Sequence, residues 1–392
     1  MKVLSLFDGM ACGMLAMQSA GVKVDRYVAF EIDKYAVQTS SHNFPMIEHR
    51  GDVFQADFTE FSGFDFLVGG SPCTYWSIAQ KNNRETEASG MGWELFSQYV
   101  RALHEAKPMW FIYENNKSMS NAIRESITST FGFEPICINS ALVSAQNRQR
   151  LYWVGKRNLD GTYSRVKVEQ PEDRGLLLRD VLDGFIRIPE YGDQDKARPL
   201  GANYSNNCGG FEHRMFSDNR NKQQVDMVAA PVRIGLFPNE DGVAEDHQQN
   251  RVYSIDGKSV NLCGNGGGMG AKTGLYAIPV EFNGEIPTKA ISYADGKTYA
   301  VYQVKDGQIT IKGKQYPIKL ADGYYIIRKL TVSECKRLQT VPEWYEFPVS
   351  DTQAYKMLGN GWTVEVIAHL IKATQADELE EEQLDLFRMA VM

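Results

Sequence analysis

A chain of 392 residues with 43% hydrophobic and 23% charged residues has the size and balance of a globular protein with room for two domains, and no apolar run in it is long enough to span a membrane. Its six cysteines (Cys12, Cys73, Cys137, Cys208, Cys263 and Cys335) are scattered without C-x-x-C or paired-histidine spacing, which argues against a zinc site, metal catalysis or a disulfide framework. The net charge of −7 argues at first against a nucleic-acid partner, but residues 375–392 alone carry −5, so the remainder is nearly neutral and free to hold a basic cleft.

Met1-Lys2 leads straight into a strand pattern with no secretory segment, so a cytoplasmic protein is expected. Val3 to Phe7 reads as a strand, followed by D-G-M-A-C-G and a helical stretch that stops at Gly21. Such a glycine loop lets a ligand approach the backbone at the positive end of a helix dipole. Val28 to Phe30 predicts a second strand ending in Glu31, a carboxylate suited to a ribose diol, and another acidic position follows at Gly51-Asp52. One glycine loop often serves packing alone; loop, Glu31 and Asp52 in succession point to a nucleoside-containing cofactor.

Phe64 to Val68 is an apolar run ended by Gly69 and Gly70, the pattern of a strand buried on both faces of a parallel sheet, and Pro72-Cys73 follow at once. Ligands of open α/β sheets bind beyond the carboxyl ends of the strands, so Cys73 stands where a nucleophile would; taken alone, a free thiol is more often buried and inert. Gly92 to Ala106 has helical spacing, and Trp110 to Tyr113 is a buried strand ending in E-N-N. A right-handed crossover between those strands brings Glu114 to the same edge as Cys73. Taken alone, Glu114 reads equally as a surface carboxylate, and Asn115 and Asn116 as turn formers. Gln146, Arg148 and Arg150 precede a strand from Leu151 to Val154. Arginines two apart on an extended segment share a face, where they either fork onto a phosphate or base carbonyl or form a solvated ion pair.

From about Leu159 the texture shifts to Gly, Asn, Asp, Gln and charge, which predicts a domain boundary. The run Asn265 to Gly274, alternating segments around Tyr299 to Val304 and Ile309 to Ile311, and the turn signals Asp306-Gly307 and Lys312-Gly313 predict a small β-rich region. Between Arg251 and Lys319 there are nine Lys or Arg and five Asp or Glu, an excess that permits phosphate contacts. K-A-R-P-L-G-A-N-Y and G-K-S-V-N-L-C-G-N echo each other too faintly to make a repeat. Arg328 to Pro342 becomes a helix with Thr331 or Ser333 as N-cap, and Tyr355 to Ile371 reads as a glycine turn followed by an apolar helix packing on the first domain. The acidic tail reads as a solvated helix end.

In this order, L-F-D-G-M-A-C-G, Glu31, Gly51-Asp52, G-G-S-P-C, E-N-N, Q-N-R-Q-R, R-K-L-T-x-x-E-x-x-R-L-Q and L-G-N-G-W-T-V resemble the motif set of the cytosine-5 DNA methyltransferase family from end to end. F-D-G-M-A-C-G, V-D-R-Y-V-A-F-E and G-W-T-V-E-V-I-A-H-L are similar to the catalytic domains of the animal de novo enzymes, whereas the long stretch between Q-N-R-Q-R and R-K-L-T looks like a bacterial or phage target-recognition domain. Ala11-Cys12 replaces a shorter glycine pair of many bacterial members, E-N-N replaces E-N-V, and L-Q-T-V-P replaces L-Q-G-F-P.

The resemblance implies a Rossmann-like α/β domain over 1–160 and 343–392, a mostly parallel sheet with helices on both faces, and a smaller β-rich target-recognition domain over 161–342. It implies that Cys73 adds to carbon 6 of a flipped cytosine, Glu114 holds ring nitrogen 3 and the exocyclic amine, Arg150 holds the carbonyl oxygen, and Arg148 orients the adjacent backbone or the cysteine loop. S-adenosylmethionine would be held by Phe7, Asp8, Gly9 and Gly13 at its methionine part, Glu31 at the ribose and Asp52 and Val53 at the adenine. Asn360, Gly361 and Trp362 would close that site, and the loop from Thr74 to Met91 would be a lid. The expected protein is a monomer of a bacterial or phage-infected cytoplasm that modifies double-stranded DNA without metal or membrane, with or without a companion restriction endonuclease. RNA cytosine methylation and a catalytically silent DNA-binding paralogue are the alternatives. The long insert favours duplex DNA, whose major groove needs extra base-contacting loops, and retention of Cys73, Glu114, Arg148 and Arg150 together argues against silence.

Overall fold

The computed structural model describes residues 1–77, 84–183, 186–187, 229–239, 241–264, 274–282, 288–292 and 296–391. The chain divides into two units, one of Met1–Leu176, Val260–Lys272 and Cys335–Met392, the other of Leu177–Ser259 and Thr273–Glu334. Among the described residues no helix is long and apolar enough to cross a membrane.

The first unit runs β1 (Lys2–Leu6), α1 (Cys12–Ser19), β2 (Arg26–Phe30), α2 (Lys34–Asn43), β3 (Glu48–His49), β4 (Phe66–Gly69), α3 (Gly90–Ala106), β5 (Trp110–Asn116), α4 (Asn121–Phe131), β6 (Ile136–Asn139), β7 (Gln149–Arg157) and β8 (Tyr163–Arg165). Its sheet has the order β3-β2-β1-β4-β5-β7-β6, with β8 on the free end of β7. The first five strands are parallel, and β7 runs antiparallel to β5, β6 and β8. The chain leaves β1 toward β2 and β3, then returns to its other side through β4 and β5. The gap between the carboxyl ends of β1 and β4 is therefore a topological switch point, where such sheets bind ligands.

The apolar runs read from the sequence fill the layers around this sheet. Leu4, Leu67, Phe111, Tyr113 and Trp153 from the strands pack with Phe96, Tyr99 and Leu103 of α3 and Ile123 and Ile127 of α4. Each such side chain contributes roughly 1.5–3 kcal/mol by burial. Tyr99 donates its hydroxyl proton between Ile112 O (2.9 Å) and Leu67 O (3.3 Å), so its polar tip is satisfied inside the core. Gly69 is required by close approach: a Cβ there would stand 2.8 Å from Leu6 O.

The second unit contains β9 (Ile186–Arg187), β10 (Arg233–Leu236), β11 (Arg251–Ser254), β12 (Leu275–Pro279), β13 (Lys289–Ser292), β14 (Thr298–Ala300), β15 (Tyr302–Lys305), β16 (Gln308–Ile311), β17 (Lys314–Pro317) and β18 (Gly323–Arg328). They form a sheet of order β10-β11-β12-β18-β15-β16-β17 and a smaller one of order β14-β13-β9. Asp306-Gly307 and Lys312-Gly313 close two-residue hairpins with both φ angles positive (49° and 70°, 50° and 77°), the turn whose twist matches the strands. Arg328 and Glu334 form a fully buried pair at 2.6 Å, and the same carboxylate accepts the Thr331 N–H (2.8 Å) while Thr331 Oγ1 accepts the Glu334 N–H (3.2 Å). That reciprocal cap starts α5 (Val332–Leu338), so Thr331 is the N-cap and Ser333 lies inside the helix.

The chain ends with α6 (Asp351–Asn360) and α7 (Val364–Val391). Instead of a glycine turn before one helix, Gly359 sits within α6 and the break falls between Asn360 and Val364. Gly359 is packed so tightly on the backbone of Cys263 and Gly264 that no side chain fits. Residues 260–264, expected within the 161–342 domain, accordingly belong to the first unit. The change of texture near Leu159 precedes the division at Leu176 because β8 still extends the first sheet. Thr340, standing where the resemblance leads one to expect glycine, adopts φ 53°; its hydroxyl accepts the Glu365 N–H (2.9 Å) in the first turn of α7, which offsets the strain of a β-branched left-handed residue. Of the expected run Asn265 to Gly274, residues 265–273 lie outside the described residues, as does K-A-R-P-L-G-A-N-Y.

Candidate active site

The sheet order sets the loops after β3, β2, β1, β4 and β5 side by side along one edge, so that Asp52, Glu31, the Phe7–Gly9 turn, Cys73 and Glu114 form a row. In the first loop Phe7 (φ 58°), Gly9 (φ 58°) and Ala11 (φ 61°) are all left-handed, a tight backbone coil leading into α1. Gly9 N–H donates to Glu31 Oε2 (2.8 Å), and Ile32 and Asp33 N–H donate to Glu31 Oε1 (2.8 Å each). The carboxylate that ends β2 thus ties its own turn to the glycine loop. Asp52 accepts from Phe54 N–H (3.0 Å) and caps a short turn that buries Val53.

Asp8 is closed off from solvent in this loop. Its Oδ1 accepts from Ser5 Oγ (2.6 Å) and from Tyr27 Oη (2.6 Å), whereas Oδ2 is buried with no hydrogen-bond partner among the described residues. Burial above all, with a smaller contribution from Glu31, raises the Asp8 carboxyl to about 6. A Cβ on Gly13 would come 2.5 Å from Tyr27 Oη and 3.7 Å from Trp362 Cζ3, so glycine there keeps a cradle open between those rings. Burial pushes the neighbouring Cys12 thiol up to about 12, which makes it inert.

Cys73 presents a different picture. It opens a short 3-10 turn (Cys73–Tyr75) just beyond β4 and is half-buried. The segment leading to it is stitched to β5: Ser71 Oγ and Tyr113 Oη lie 2.6 Å apart, and Asn115 Nδ2 donates to Ser71 O (3.2 Å) and Tyr113 Oη (3.1 Å). Asn115 and Asn116 are therefore not turn formers; β5 continues through them, pairing with Leu151 and Arg150 of β7. Ser71, Tyr113 and Asn115 were missed as site residues, and the polar pair following an apolar strand was the signal that marked them.

Glu114 is 8% exposed and held on both sides. Arg150 Nε lies 3.0 Å from its Oε1, and Trp362 Nε1–H donates to its Oε2 (2.9 Å). A Cβ on Gly70 would stand 2.9 Å from both the carbonyl oxygen and Oε2 of Glu114, so the glycine three residues before the cysteine backs directly onto the carboxylate. The two arginines divide their work. Arg148 is buried, donating from Nη1 to Asn261 Oδ1 (2.9 Å), Leu262 O (3.2 Å) and Gly359 O (3.2 Å) and from Nη2 to Gly361 O (2.8 Å). Desolvation lowers it to about 10, so it remains a cation at neutral pH. Its hydrogen bonds among the described residues go to the Asn261 side chain and to the carbonyls of Leu262, Gly359 and Gly361. Gln339 Nε2 reinforces that joint by donating to Leu358 O (2.6 Å) and Gly361 O (3.2 Å).

Part of the expected lid, 78–83, lies outside the described residues. On its near side Trp76 is fully buried and donates to Glu85 Oε2 (3.0 Å), which also receives Gly92 N–H (3.1 Å). Arg84 Nη2 donates to Ser118 O (2.6 Å), and Gly90 and Met91 already belong to α3. No cluster of metal-ligating side chains is found among the described residues.

This strand order, with its ligand loops at the switch point and a β-rich companion unit, defines a Rossmann-like methyltransferase fold. The model of the C-5 cytosine-specific DNA methylase family matches residues 1–376, and the chain belongs to that family of DNA cytosine methyltransferases. Similar proteins include the orphan methyltransferase M.SPRI of Bacillus phage SPR, 25% identical over 450 residues that cover 95% of this chain and 97% of the phage protein. The type II methyltransferase M.HhaI of Haemophilus parahaemolyticus is 23% identical, with 94% and 93% covered. Among solved structures, the Entamoeba histolytica methyltransferase EhMeth superposes with a TM-score of 0.57 at 11% identity, over 96% of this chain and 98% of its own, a likeness of fold.

Proposed function

We propose that this DNA cytosine-5 methyltransferase acts through Cys73 on a cytosine flipped out of duplex DNA, with S-adenosylmethionine, the cofactor generally used by its family, as methyl donor. The observation that carries this reading is the pairing of a half-buried cysteine at the end of β4 with a carboxylate on β5 held between a guanidinium and an indole. Flipping costs roughly a few kcal/mol of stacking and pairing. Carbon 5 of cytosine is a weak nucleophile. A bond from Cys73 Sγ to carbon 6 makes the ring enamine-like, and Glu114 meets the charge that develops by hydrogen-bonding nitrogen 3 and gripping the exocyclic amine. Arg150 supports the carbonyl oxygen. Once carbon 5 had taken the methyl group, with S-adenosylhomocysteine as the leaving group, loss of its proton to solvent would return the C–H bonding pair to the ring as the 5,6 double bond and break the sulfur–carbon bond, releasing Cys73 as thiolate.

The residues around α1 fit the cofactor. The buried Asp8 Oδ2, without a partner among the described residues, is the acceptor an ammonium group needs, and the cradle at Gly13 would be filled by any side chain. Phe7, Asp8, Gly9 and Gly13 would hold the methionine part, Glu31 the ribose hydroxyls, and Asp52 and Val53 the adenine, with Asn360, Gly361 and Trp362 closing the site. When bound, the cofactor supplies an electrophilic methyl group. The second unit serves as the target-recognition domain, and the enzyme modifies bacterial or phage DNA in the cytoplasm, protecting it where a companion restriction endonuclease is present.

The test is transfer of label from S-adenosylmethionine by the purified protein and by its Cys73→Ser variant, to duplex DNA or to transfer RNA. Label entering DNA and lost in the variant is expected. Label entering RNA alone, or undiminished transfer by the variant, would overturn the reading. Sequencing of modified cytosines then gives the recognition site.

A further inference from the structure

The Glu114 carboxylate does not stand free at the base site, and its second partner comes from the far end of the chain. Trp362 follows α6 and reaches β5 with its indole N–H, 2.9 Å from Glu114 Oε2. The six-membered ring of the same indole lies beside α1, with Cζ3 3.7 Å from where a Cβ of Gly13 would be. One rigid side chain thus touches the cofactor loop with one end and the catalytic carboxylate with the other.

Resting on the functional reading above, we infer that Trp362 is a positioning residue for the base chemistry in addition to being a wall of the cofactor site. A carboxylate offers about four acceptor positions, two on each oxygen. The Trp362 N–H takes one on Oε2, and the Arg150 guanidinium lies against Oε1 as an ion pair (3.0 Å). That fixes the plane of the carboxylate and leaves one position on each oxygen, the number required to meet nitrogen 3 and the exocyclic amine of a single cytosine. An indole suits the task because it donates and does not accept, so it competes for neither group of the base. It also has few rotatable bonds, so holding its N–H in place costs little conformational freedom. The backbone around it is already braced: Arg148 and Gln339 both donate to the carbonyl of Gly361, the preceding residue.

The experiment compares the whole wild-type chain with Trp362→Phe and with a protein carrying 3-benzothienylalanine at 362, which keeps the bicyclic shape and replaces the N–H by sulfur. Three quantities are measured: affinity for S-adenosylhomocysteine without DNA, kcat at saturating cofactor and DNA, and the rate of covalent adduct formation on a duplex containing 5-fluorocytosine. The benzothienyl protein, which keeps the bicyclic wall beside Gly13, should hold the affinity within about threefold while kcat and the adduct rate fall together by about 10- to 100-fold, the scale of a misplaced catalytic group; Trp362→Phe should show the same fall in rate with a loss of cofactor affinity besides. The benzothienyl protein keeps the test valid where the smaller phenyl ring disturbs packing. Unchanged kcat and adduct rate in that protein, or a loss confined to cofactor affinity and repaired by excess cofactor, would overturn the inference. Failure of the wild-type chain to methylate DNA would instead sink the functional reading itself.

Discussion

Asp8 and Glu114 are each 8% exposed and stand after β1 and on β5, the two strands that flank β4, yet Asp8 keeps one oxygen without a partner among the described residues while Glu114 has a guanidinium against one oxygen and a donor on the other. Asp8 receives only neutral hydroxyls, from Ser5 and Tyr27, and burial holds its carboxyl at about 6. Glu114 receives a guanidinium and an indole. A third carboxylate, Glu334 in the other unit, is bound by both terminal nitrogens of the Arg328 fork and by the backbone N–H groups of Thr331 and Asp183. The contrast teaches that an incomplete hydrogen-bond shell marks a place kept for a ligand's charge. A carboxylate with a protein partner at each oxygen and a position still open on each marks a group kept in one orientation for chemistry.

The largest effect should come from disturbing the carboxylate that Arg150 and Trp362 hold. Glu114→Gln retains size but presents N–H groups where Arg150 or Trp362 also donates, and it loses the proton-handling group. A fall in kcat of about 10²- to 10⁴-fold is expected, with cofactor affinity nearly unchanged. Steady-state kinetics beside calorimetry of cofactor binding reads both; a loss of affinity matching the loss of rate would refute the separation of the two carboxylates.

Asp8→Asn should do the reverse. Removing the charged acceptor proposed for the cofactor's ammonium should weaken cofactor binding by about 10- to 100-fold, the worth of a charge-assisted hydrogen bond. The fold itself should gain stability. An aspartate raised from 3.8 to about 6 by burial favours its neutral form in the native state, so its charge opposes folding by about 3 kcal/mol at pH 8. Denaturant titrations at pH 8 should show the variant more stable than the wild type, a gain reduced by whatever hydrogen bonds the amide fails to make. Equal or lower stability would mean that Asp8 is not charged at a cost.

These two residues also show what the sequence could disclose. Cys73, Glu114 and Arg150 were legible because each follows or begins an apolar strand, and parallel strands bring their ends to one edge. The hairpins at Asp306-Gly307 and Lys312-Gly313 were legible because a two-residue turn with positive φ demands such residues. Tyr27 and the Trp362–Glu114 hydrogen bond were not legible as partners, since they join residues through packing between strands or across most of the chain, and Ser5, only three residues before Asp8, reads in the sequence simply as a strand position. The same holds for Arg148: an extended segment shows that two arginines share a face, but not that one turns onto the carbonyls of Gly359 and Gly361. Residues 260–264 look like part of a β-rich insert, and only their contact with α6 assigns them to the first unit.

A dependence on pH separates the two carboxylates without any mutation. The free protein's Asp8 loses its charge as pH falls through about 6, so cofactor affinity should be constant well above that value and fall below it. A bound ammonium favours the charged carboxylate, so binding near pH 6 should release a proton, visible as different calorimetric heats in buffers of different ionisation enthalpy. For stability the sign is opposite. A folded-state value above the unfolded one means that the contribution of Asp8 to folding improves as pH drops from about 6 toward 3.8. Affinity that is flat from pH 5 to 8 would show that the unpartnered oxygen is not where the cation binds.

The smallest effect should come from Ser5→Ala, which removes one of the two hydroxyls from Asp8 Oδ1 and leaves Tyr27 in place. Both donors hold the carboxyl down against the burial that raises it, so losing one should move the pH edge of cofactor binding upward by less than about one unit. Affinity at pH 8, where the group stays charged, should change by no more than about threefold. The comparison is sharpest here, because Glu114 has no contact with Ser5 among its hydrogen bonds and kcat at saturating cofactor should not move. A shift of the edge without a change in kcat would establish that the polar pair behind Asp8 tunes ligand uptake alone. A parallel loss of kcat would show that the two ends of the site are coupled more strongly than a single shared indole accounts for.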